Sequence, residues 1–171
     1  MTNNDEPLFA NGTTEKPMDS LEPALKARIR DLIDSQLYAV LCVQGGGQPY
    51  GAVVAIAFTD SLRQAVFATP VTTRKYRLLS ECSHVALVID NRSSKSHDLM
   101  EVEAVTTTGQ SVLLNRANDF ESWDRLLLKK HPYLRSFTKA ESCALFRVDI
   151  IRFFHVARFQ EVNQWIPASD S

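Results

Sequence analysis

Hydrophobic residues recur along this chain at two different spacings. From about Ser20 they return every three or four positions, which is the spacing of one face of an α-helix. The apolar positions of this segment are Leu21, Leu25, Ile29, Leu32 and Ile33. We also predict a short helix from Thr73 to about Glu81 and a second amphipathic helix over residues 118–130, which Pro132 ends.

Between and after these helices lie six runs that are rich in β-branched and aromatic residues, and such runs predict strands. They cover residues 37–43, 50–58, 64–69, 85–89, 102–114 and 143–159. The first two are joined by Gln44-Gly45-Gly46-Gly47-Gln48-Pro49, which is typical of a hairpin connection. A phosphate-binding glycine loop would need a following Lys-Ser/Thr pair and a helix. Residues 160–167 are predicted to be a tail that contains Trp165.

The order of these elements indicates how the strands pair. Strands that follow one another with only short helices between them favour antiparallel pairing over a parallel, doubly wound sheet. We therefore predict a mainly β fold, a six-stranded antiparallel barrel with short flanking helices. Because a barrel of this size fills its interior with side chains, a ligand is expected on its rim or between subunits. The domain is expected to span residues 19–167, between a flexible arm over 1–18 and a tail over 168–171.

Composition limits the kinds of partner that we expect for this chain, but it indicates no function. The 171 residues carry a formal net charge of −1, which predicts no overall attraction to nucleic acid or to acidic membranes. Any anion would therefore be held locally. No apolar run approaches the roughly 20 residues that cross a bilayer. Cys42, Cys82 and Cys143 are widely separated and are expected to be reduced thiols in a cytoplasmic protein.

The turn before the predicted short helix carries charges of the unfavourable sign. Arg74 and Lys75 fall in the first helical turn, where free backbone N–H groups and the helix dipole already make the potential positive. A bound phosphate would remove this conflict, with the hydroxyls of Thr72 and Thr73 as N-cap acceptors or as donors to its oxygens. The alternative is an ordinary capped surface helix, since the dipole effect is only about 0.3–1 kcal/mol.

Four segments of the chain follow one another in a distinctive order. They are Val53-Val54-Ala55-Ile56-Ala57, Ala65-Val66-Phe67-Ala68-Thr69, Thr73-Arg74-Lys75 and Ser83-His84-Val85-Ala86-Leu87-Val88-Ile89. In order and spacing they resemble the pyridoxamine 5′-phosphate oxidase-like FMN-binding split barrels. The resemblance covers about residues 35–167 and is most specific over residues 65–89. It implies a six-stranded antiparallel split β-barrel that binds FMN.

The resemblance also implies a binding site and a chemistry. Its cofactor-binding positions fall on Val53, Val54, Ala68, Thr69, Thr73, Arg74 and Lys75. The last three would hold the phosphate, and the strand residues would lie along the flavin, although core packing is an equal alternative for Val53 and Val54. A homodimer with two equivalent FMN sites at its interface is implied, as is hydride or electron transfer between a donor and a small-molecule substrate. The chain lacks the basic strand residues and the Arg-Leu-His type ending of the pyridoxal-phosphate oxidases, so the substrate is not specified.

A polar loop over residues 90–98 supplies further candidates. Asn91 directly follows a predicted strand and is the residue of this loop that we expect to contact the flavin. Arg92, Ser93 and His97 would line the same face, with His97 as a conceivable proton donor. The alternative is a solvated loop between two strands.

Other ligands and roles remain open from the sequence. Trp165 is a candidate to stack near the flavin or to pack at the barrel rim. A haem-handling split barrel would need an axial ligand such as His155 or His97. The histidines His84, His131 and His155 do not converge by spacing and are expected to be structural. A deazaflavin in place of FMN, or a flavin-sensing module without turnover, would need a similar rim and a similar anionic, planar ligand.

Overall fold

The structure is a computed structural model that describes residues 18–95, 97–158 and 161–167. The predicted N-terminal arm, apart from Met18, and the predicted tail over 168–171 lie outside the described residues. These two expectations and the bounds of the domain therefore remain predictions. Met18 begins the first helix, slightly before the predicted start at Ser20.

The described residues form four α-helices and seven β-strands. The helices are α1 (Met18–Ser35), α2 (Arg74–Glu81), α3 (Phe120–Lys130) and α4 (Arg135–Lys139). The strands are β1 (Tyr38–Gly45), β2 (Gln48–Phe58), β3 (Gln64–Pro70), β4 (His84–Asp90), β5 (Ala104–Leu113), β6 (Cys143–Ala157) and β7 (Glu161–Trp165). The six predicted strands and three predicted helices all form, with small differences at their ends.

Six of the strands close into an antiparallel barrel. They pair in the order β3-β2-β1-β4-β5-β6, and β3 also pairs with β6 along its whole length. This last pairing joins the two edges of the sheet, so the predicted six-stranded antiparallel barrel is confirmed. The seventh strand, β7, pairs with β6 and lies outside the barrel.

The prediction that residues 160–167 form a tail is wrong, because Glu161–Trp165 is a strand. The chain turns back after β6, where Arg158 adopts a left-handed φ of 46°. The strand then runs along the second half of β6, with Phe153 opposite Trp165. Its five residues include Glu, Asn and Gln and carry no strand signal alone, so the backbone of β6 supplies the pairing.

Two helices cover the two ends of the barrel. The guanidinium of Arg30 in α1 donates to the carbonyl of Thr59, just past β2, at 3.2 Å. The opposite end is covered by α2, since a Cβ added to Gly45, the last residue of β1, would collide with Leu78. We call these the α1 end and the α2 end.

The barrel interior is filled by side chains that alternate along the strands. Buried residues of the strands and covering helices form this core: Ile29, Ile33, Leu41, Val43, Ile56, Phe67, Leu78, Leu87, Val105, Phe146 and Phe153. The rings of Phe67 and Phe146 stack with centroids 5.6 Å apart. A large planar ligand must therefore bind outside this packed interior.

A glycine in β5 sits where no side chain fits. The β5–β6 register shifts between Thr108 and Gly109, and a Cβ on Gly109 would lie 2.6 Å from the carbonyl oxygen of Asp149. We expect Gly109→Ala to lower the free energy of unfolding by about 1–3 kcal/mol, the usual cost of overpacking. Urea denaturation measures this change. Gly51→Ala is the matched control, because its Cβ would meet only Val40, at 3.6 Å; equal losses in the two variants would contradict the prediction.

Candidate functional site

The turn between β3 and α2 is held together by two threonine hydroxyls. Thr73 is the N-cap of α2: its hydroxyl accepts from the backbone N–H of Tyr76 at 3.3 Å and donates to the carbonyl of Pro70 at 2.9 Å. The Thr69 hydroxyl, which is fully buried, lies 2.9 Å from that of Thr73. Both hydroxyls are thus engaged inside the turn, and Thr72 is the exposed hydroxyl beside them. The predicted contacts of Thr69 and Thr73 with a cofactor remain predictions.

Two cations stand at the start of α2 without a carboxylate beside them. Arg74 is exposed, and its guanidinium carbon lies 5.1 Å from the ring centroid of Tyr50. Lys75 is half-buried, and the first turn of α2 contains no acidic residue. Within the described part of the chain no carboxylate lies within ion-pair distance of either cation, whereas Arg77 pairs with Glu81 at 3.9 Å. The start of α2 therefore carries positive charge that no described carboxylate offsets, and such charge suits an anion.

The wall of the barrel also carries an open, uncharged face. Directly paired residues share a face, and the outer face carries two rows across β2, β1, β4 and β5. The rows are Val53, Val40, Val88 and Thr106, and Gly51, Cys42, Ala86 and Thr108. We call these two rows the outer face. Solvent-facing sides of antiparallel sheets are normally polar, so small uncharged side chains here indicate a surface that packs against a ligand or a partner.

The two valines of the predicted site point in opposite directions. Val53 belongs to the outer face and is 67% exposed, whereas Val54 is buried in the barrel core. Ala68 lies on a third surface, where β3 packs beneath α3 in a cluster that contains Val66 and Leu127. Of these three strand residues predicted to lie along the flavin, Val53 is therefore the one that the single chain leaves largely exposed.

Asn91 lies at the opposite end of the barrel from the basic turn. Three antiparallel pairings separate β3 from β4, so these strands run in opposite directions. The turn that follows β3 is at the α2 end, and the loop that follows β4 is at the α1 end. The seven residues of β4 span about 20 Å between them. One chain does not bring Asn91 together with Arg74, so their contact with a single cofactor remains a prediction.

Trp165 is part of the core and not of an open site. Its ring stacks on Phe153 with centroids 5.2 Å apart, and it is 6% exposed. The indole Nε1–H donates to Glu22 of α1 at 3.0 Å. Of the two roles that the sequence left open for Trp165, the single chain therefore has the second, packing at the barrel rim.

Asn91 belongs to a polar cluster at the α1 end. A cavity of about 260 Å³ is lined there by Arg28, Asp31, Leu32, Ser35, Asn91 and Glu103. The Glu103 carboxylate accepts from Arg28 at 2.9 Å and from Nε2–H of the fully buried His155 at 2.9 Å. Burial raises the pKa of Glu103, but these two hydrogen bonds lower it, and the net result is a pKa below the usual value.

This cluster predicts a loss of stability in acid. The pKa of Glu103 is lower in the folded chain than in the unfolded one, so its stabilisation is complete above about pH 4.5 and is lost as the pH falls through the lower value. We expect Glu103→Gln to lose about 1 kcal/mol or less at pH 7 and to converge on wild type in acid, as measured by urea denaturation at several pH values. Glu101→Gln, at an exposed pair with Lys95, is the control. If wild type is still more stable than Glu103→Gln at pH 3, by the same difference in the free energy of unfolding as at pH 7, the prediction is wrong.

The four histidines occupy very different surroundings. His131 is buried, with Nε2 2.9 Å from the carbonyl of Ile56 and Nδ1 2.9 Å from the hydroxyl of Tyr133, and burial lowers its pKa. His97 is exposed in the loop at the α1 end. His84 begins β4 at the α2 end, where it is exposed.

His84 is therefore the histidine that shares an end of the barrel with Arg74 and Lys75. The sequence analysis gave this residue a structural role, which remains a prediction, although only α2 and two further residues separate it from the basic turn. The short separation along the chain was the signal available in the sequence. A helix of about two turns cannot carry the chain far from the α2 end, so His84 and the basic turn are expected at the same end of the barrel.

The sequence matches no family model and no curated protein. Solved structures do share the fold. The haem-binding protein from Mycobacterium smegmatis is similar with a TM-score of 0.71 and 14% identity, over 81% of this chain and 56% of that protein. ChuZ from Campylobacter jejuni has a TM-score of 0.73 and 9% identity, over 84% of this chain and 60% of ChuZ. HutZ, the haem storage protein from Vibrio cholerae, has a TM-score of 0.63 and 12% identity, over 83% of this chain and 94% of HutZ.

These likenesses, together with the strand order, decide the architecture. The fold is a split β-barrel. At such low identities they establish the fold alone, and the chain spans little more than half of the mycobacterial protein. The fold expected from the sequence resemblance is thus confirmed, whereas membership of the FMN-binding group remains a prediction.

Two further observations concern membrane-spanning helices and metal-ion sites. No helix in the described ranges is long and apolar enough to cross a membrane. Among the described residues, no three His, Cys, Asp or Glu side chains gather into a potential metal-ion site.

Proposed function

We propose that this split barrel binds haem on the outer face at the α2 end, and that its role is haem binding or storage. The observation that carries the proposal is the pair of uncompensated cations, Arg74 and Lys75, on a barrel whose outer face is an uncharged surface of small side chains. Haem is a flat apolar ring with two carboxylates on one edge, so it needs this combination of surfaces. The Mycobacterium smegmatis and Vibrio cholerae proteins, which bind and store haem respectively, support the proposal by their shared fold.

The residues present fit this group by the chemistry of their donors. Arg74 offers a planar fork of N–H donors and Lys75 a point charge, and both suit carboxylates. Val40, Val53 and Val88 supply an apolar surface that would exclude water from one side of the ring. When bound, haem would supply an iron centre for ligand exchange or electron transfer, and the chain would bind it, orient it and limit its contact with water.

FMN is the second candidate, and one observation favours it. The exposed hydroxyl of Thr72 and the two cations at the start of α2 suit a phosphate monoester. With FMN bound, the protein would be an oxidoreductase that takes electrons from an unidentified donor to a small-molecule substrate, or a flavin sensor without turnover. A deazaflavin would use the same surface.

We extend the proposal to a homodimer that is built on the same outer face. Val53 is largely exposed, and Val40 pairs with both Val53 and Val88. This row of the outer face is therefore apolar across three strands. A second copy of this chain, related by a two-fold axis, would cover the face and build two equivalent ligand sites at the interface. Sedimentation of the ligand-free protein tests this proposal, and a monomer at micromolar concentration would contradict it.

The decisive experiment is a parallel titration of the purified, ligand-free protein with haemin and with FMN. Saturable growth of a Soret band at one haem per chain, without quenching of flavin fluorescence, supports the haem proposal. Saturable quenching of flavin fluorescence without a change in the Soret region would contradict the haem proposal and support FMN as the ligand. If neither ligand saturates, the basic turn is only a capped helix start and the proposal is overturned.

A further inference from the structure

We infer that Tyr133 is a redox-active tyrosine, which gives one electron to an outer-sphere metal-complex oxidant in solution while its phenolic proton moves to Nδ1 of His131. The inference does not depend on the ligand proposed for the α2 end. Three observations carry it: the hydrogen bonds of the His131 ring, the exposure of the Tyr133 ring, and the surroundings of the other tyrosines.

The two ring nitrogens of His131 have different and fixed roles. Nε2 lies 2.9 Å from the carbonyl oxygen of Ile56, which can only accept, so Nε2 carries a proton. In the neutral ring Nδ1 then holds the lone pair, and the hydroxyl of Tyr133 donates to it at 2.9 Å. Burial lowers the pKa of His131, which favours the neutral ring with its lone pair available. The phenol is therefore already hydrogen-bonded to a base.

The phenol of Tyr133 must release a proton together with the electron. Partial burial of its ring and a hydrogen bond with the hydroxyl of Tyr38 raise the pKa of Tyr133, so the phenol stays protonated near neutral pH. On oxidation the phenolic O–H bond breaks, an N–H bond forms at Nδ1 of His131, and the electron passes to the oxidant. The products are a neutral tyrosyl radical and an imidazolium. The Nε2–H of this imidazolium still donates to the carbonyl of Ile56, which favours the protonated ring.

The position of the pair gives the electron and the proton separate routes. The Tyr133 side chain is 59% exposed, whereas His131 is fully buried. The two rings meet edge-on, with centroids 5.7 Å apart and planes at 85°. An oxidant in solution can therefore approach the tyrosine ring without displacing the histidine, because the proton has its own acceptor inside the fold.

The other tyrosines do not combine these features. The guanidinium carbon of Arg74 lies 5.1 Å from the ring centroid of Tyr50, and a cation in that position opposes the removal of an electron. Tyr76 is partly buried and packs against the barrel core. Within the described ranges, no histidine lies within hydrogen-bonding distance of the hydroxyl of Tyr38, Tyr50 or Tyr76. Tyr133 is thus the tyrosine that combines exposure with a proton acceptor.

The test is flash photolysis of the purified protein, with photogenerated tris(bipyridine)ruthenium(III) as the one-electron oxidant. Transient absorption and electron paramagnetic resonance detect the tyrosyl radical. We expect wild type to form this radical, and to form it more slowly in deuterated water because a proton moves in the same step. Tyr133→Phe should form a tyrosyl radical at least about 100-fold more slowly, since a positioned proton acceptor contributes about 10²–10⁴-fold. Tyr76→Phe is the matched control and should behave as wild type.

A second variant separates proton transfer from a purely structural role of His131. His131→Gln offers an amide N–H to Ile56 and an amide oxygen to Tyr133, but that oxygen is not a base near neutral pH. We expect this variant to be folded, as measured by circular dichroism, and to form the radical as slowly as Tyr133→Phe. If it does not fold, Tyr133→Phe and the effect of deuterated water decide alone.

Three results would overturn the inference. A wild-type rate of radical formation in Tyr133→Phe means that another tyrosine is oxidised. A wild-type rate in folded His131→Gln means that the imidazole takes no proton. An equal rate for wild type in ordinary and deuterated water means that no proton moves with the electron.

Discussion

Replacement of Arg74 and Lys75 together by alanine is expected to weaken haem binding at least about 100-fold while the barrel stays folded. Each cation would make a charge-assisted hydrogen bond to a carboxylate, and such bonds contribute about 1.5–3 kcal/mol. Two of them at the lower value give about 3 kcal/mol, which is more than a hundredfold in the dissociation constant. Haemin titration of the double variant measures the loss.

The fold should tolerate this double substitution for a reason visible in the turn. The N-cap bonds of Thr73 do not involve either cation, and the absence of cations from the first turn removes an unfavourable interaction with the helix dipole. Arg77→Ala is the matched control, because Arg77 is exposed on the same helix but pairs with Glu81. If the double variant binds haem as tightly as Arg77→Ala does, the turn holds no anion.

The second large effect is expected at Trp165. Trp165→Ala would remove a buried ring that stacks on Phe153 and bonds to Glu22, and we expect it to lower the free energy of unfolding by about 3–5 kcal/mol. Denaturation in urea measures this loss, and haem affinity of the folded fraction should stay unchanged. Ile166→Ala, at a neighbouring residue that is 55% exposed, should have little effect.

This prediction also decides between the two roles that the sequence leaves open for Trp165. Trp165→Phe keeps an aromatic ring on Phe153 and removes the bond to Glu22, so it should lose only about 1 kcal/mol. A stable Trp165→Ala with weakened cofactor binding would restore the stacking role and contradict the core position.

Local patterns gave most of the elements correctly, because each depends on residues that are close in sequence. The alternation in β1 and β4, and the helical spacing of Ile29, Leu32 and Ile33, are properties of one element at a time. The strand β7 escaped prediction because its partner is β6 and its own five residues carry little pattern. The same limit applies to Val53 and Val54, since alternation places them on opposite faces without saying which face is the core.

The candidate site was predicted in part for a similar reason. The Thr-Arg-Lys turn is a local signal, and the structure keeps it at the start of α2 as expected. The strand directions separate Asn91 from the two cations and place His84 at the same end of the barrel as they are. Asn91 follows β4 and His84 begins it, so they lie at opposite ends of the barrel, and no pattern local to either residue shows which end carries the cations.

By itself, the sequence determined the mainly β composition, the six barrel strands and the misplaced charges of the basic turn, since these follow from spacing and from the dipole of a single helix. The tertiary structure decided that β3 closes on β6, that Trp165 belongs to the core and that His84 stands at the end where the cations are. Those features depend on contacts between residues far apart along the chain. Hydrogen bonding between distant strands fixes both their order and their direction, and no local pattern encodes either.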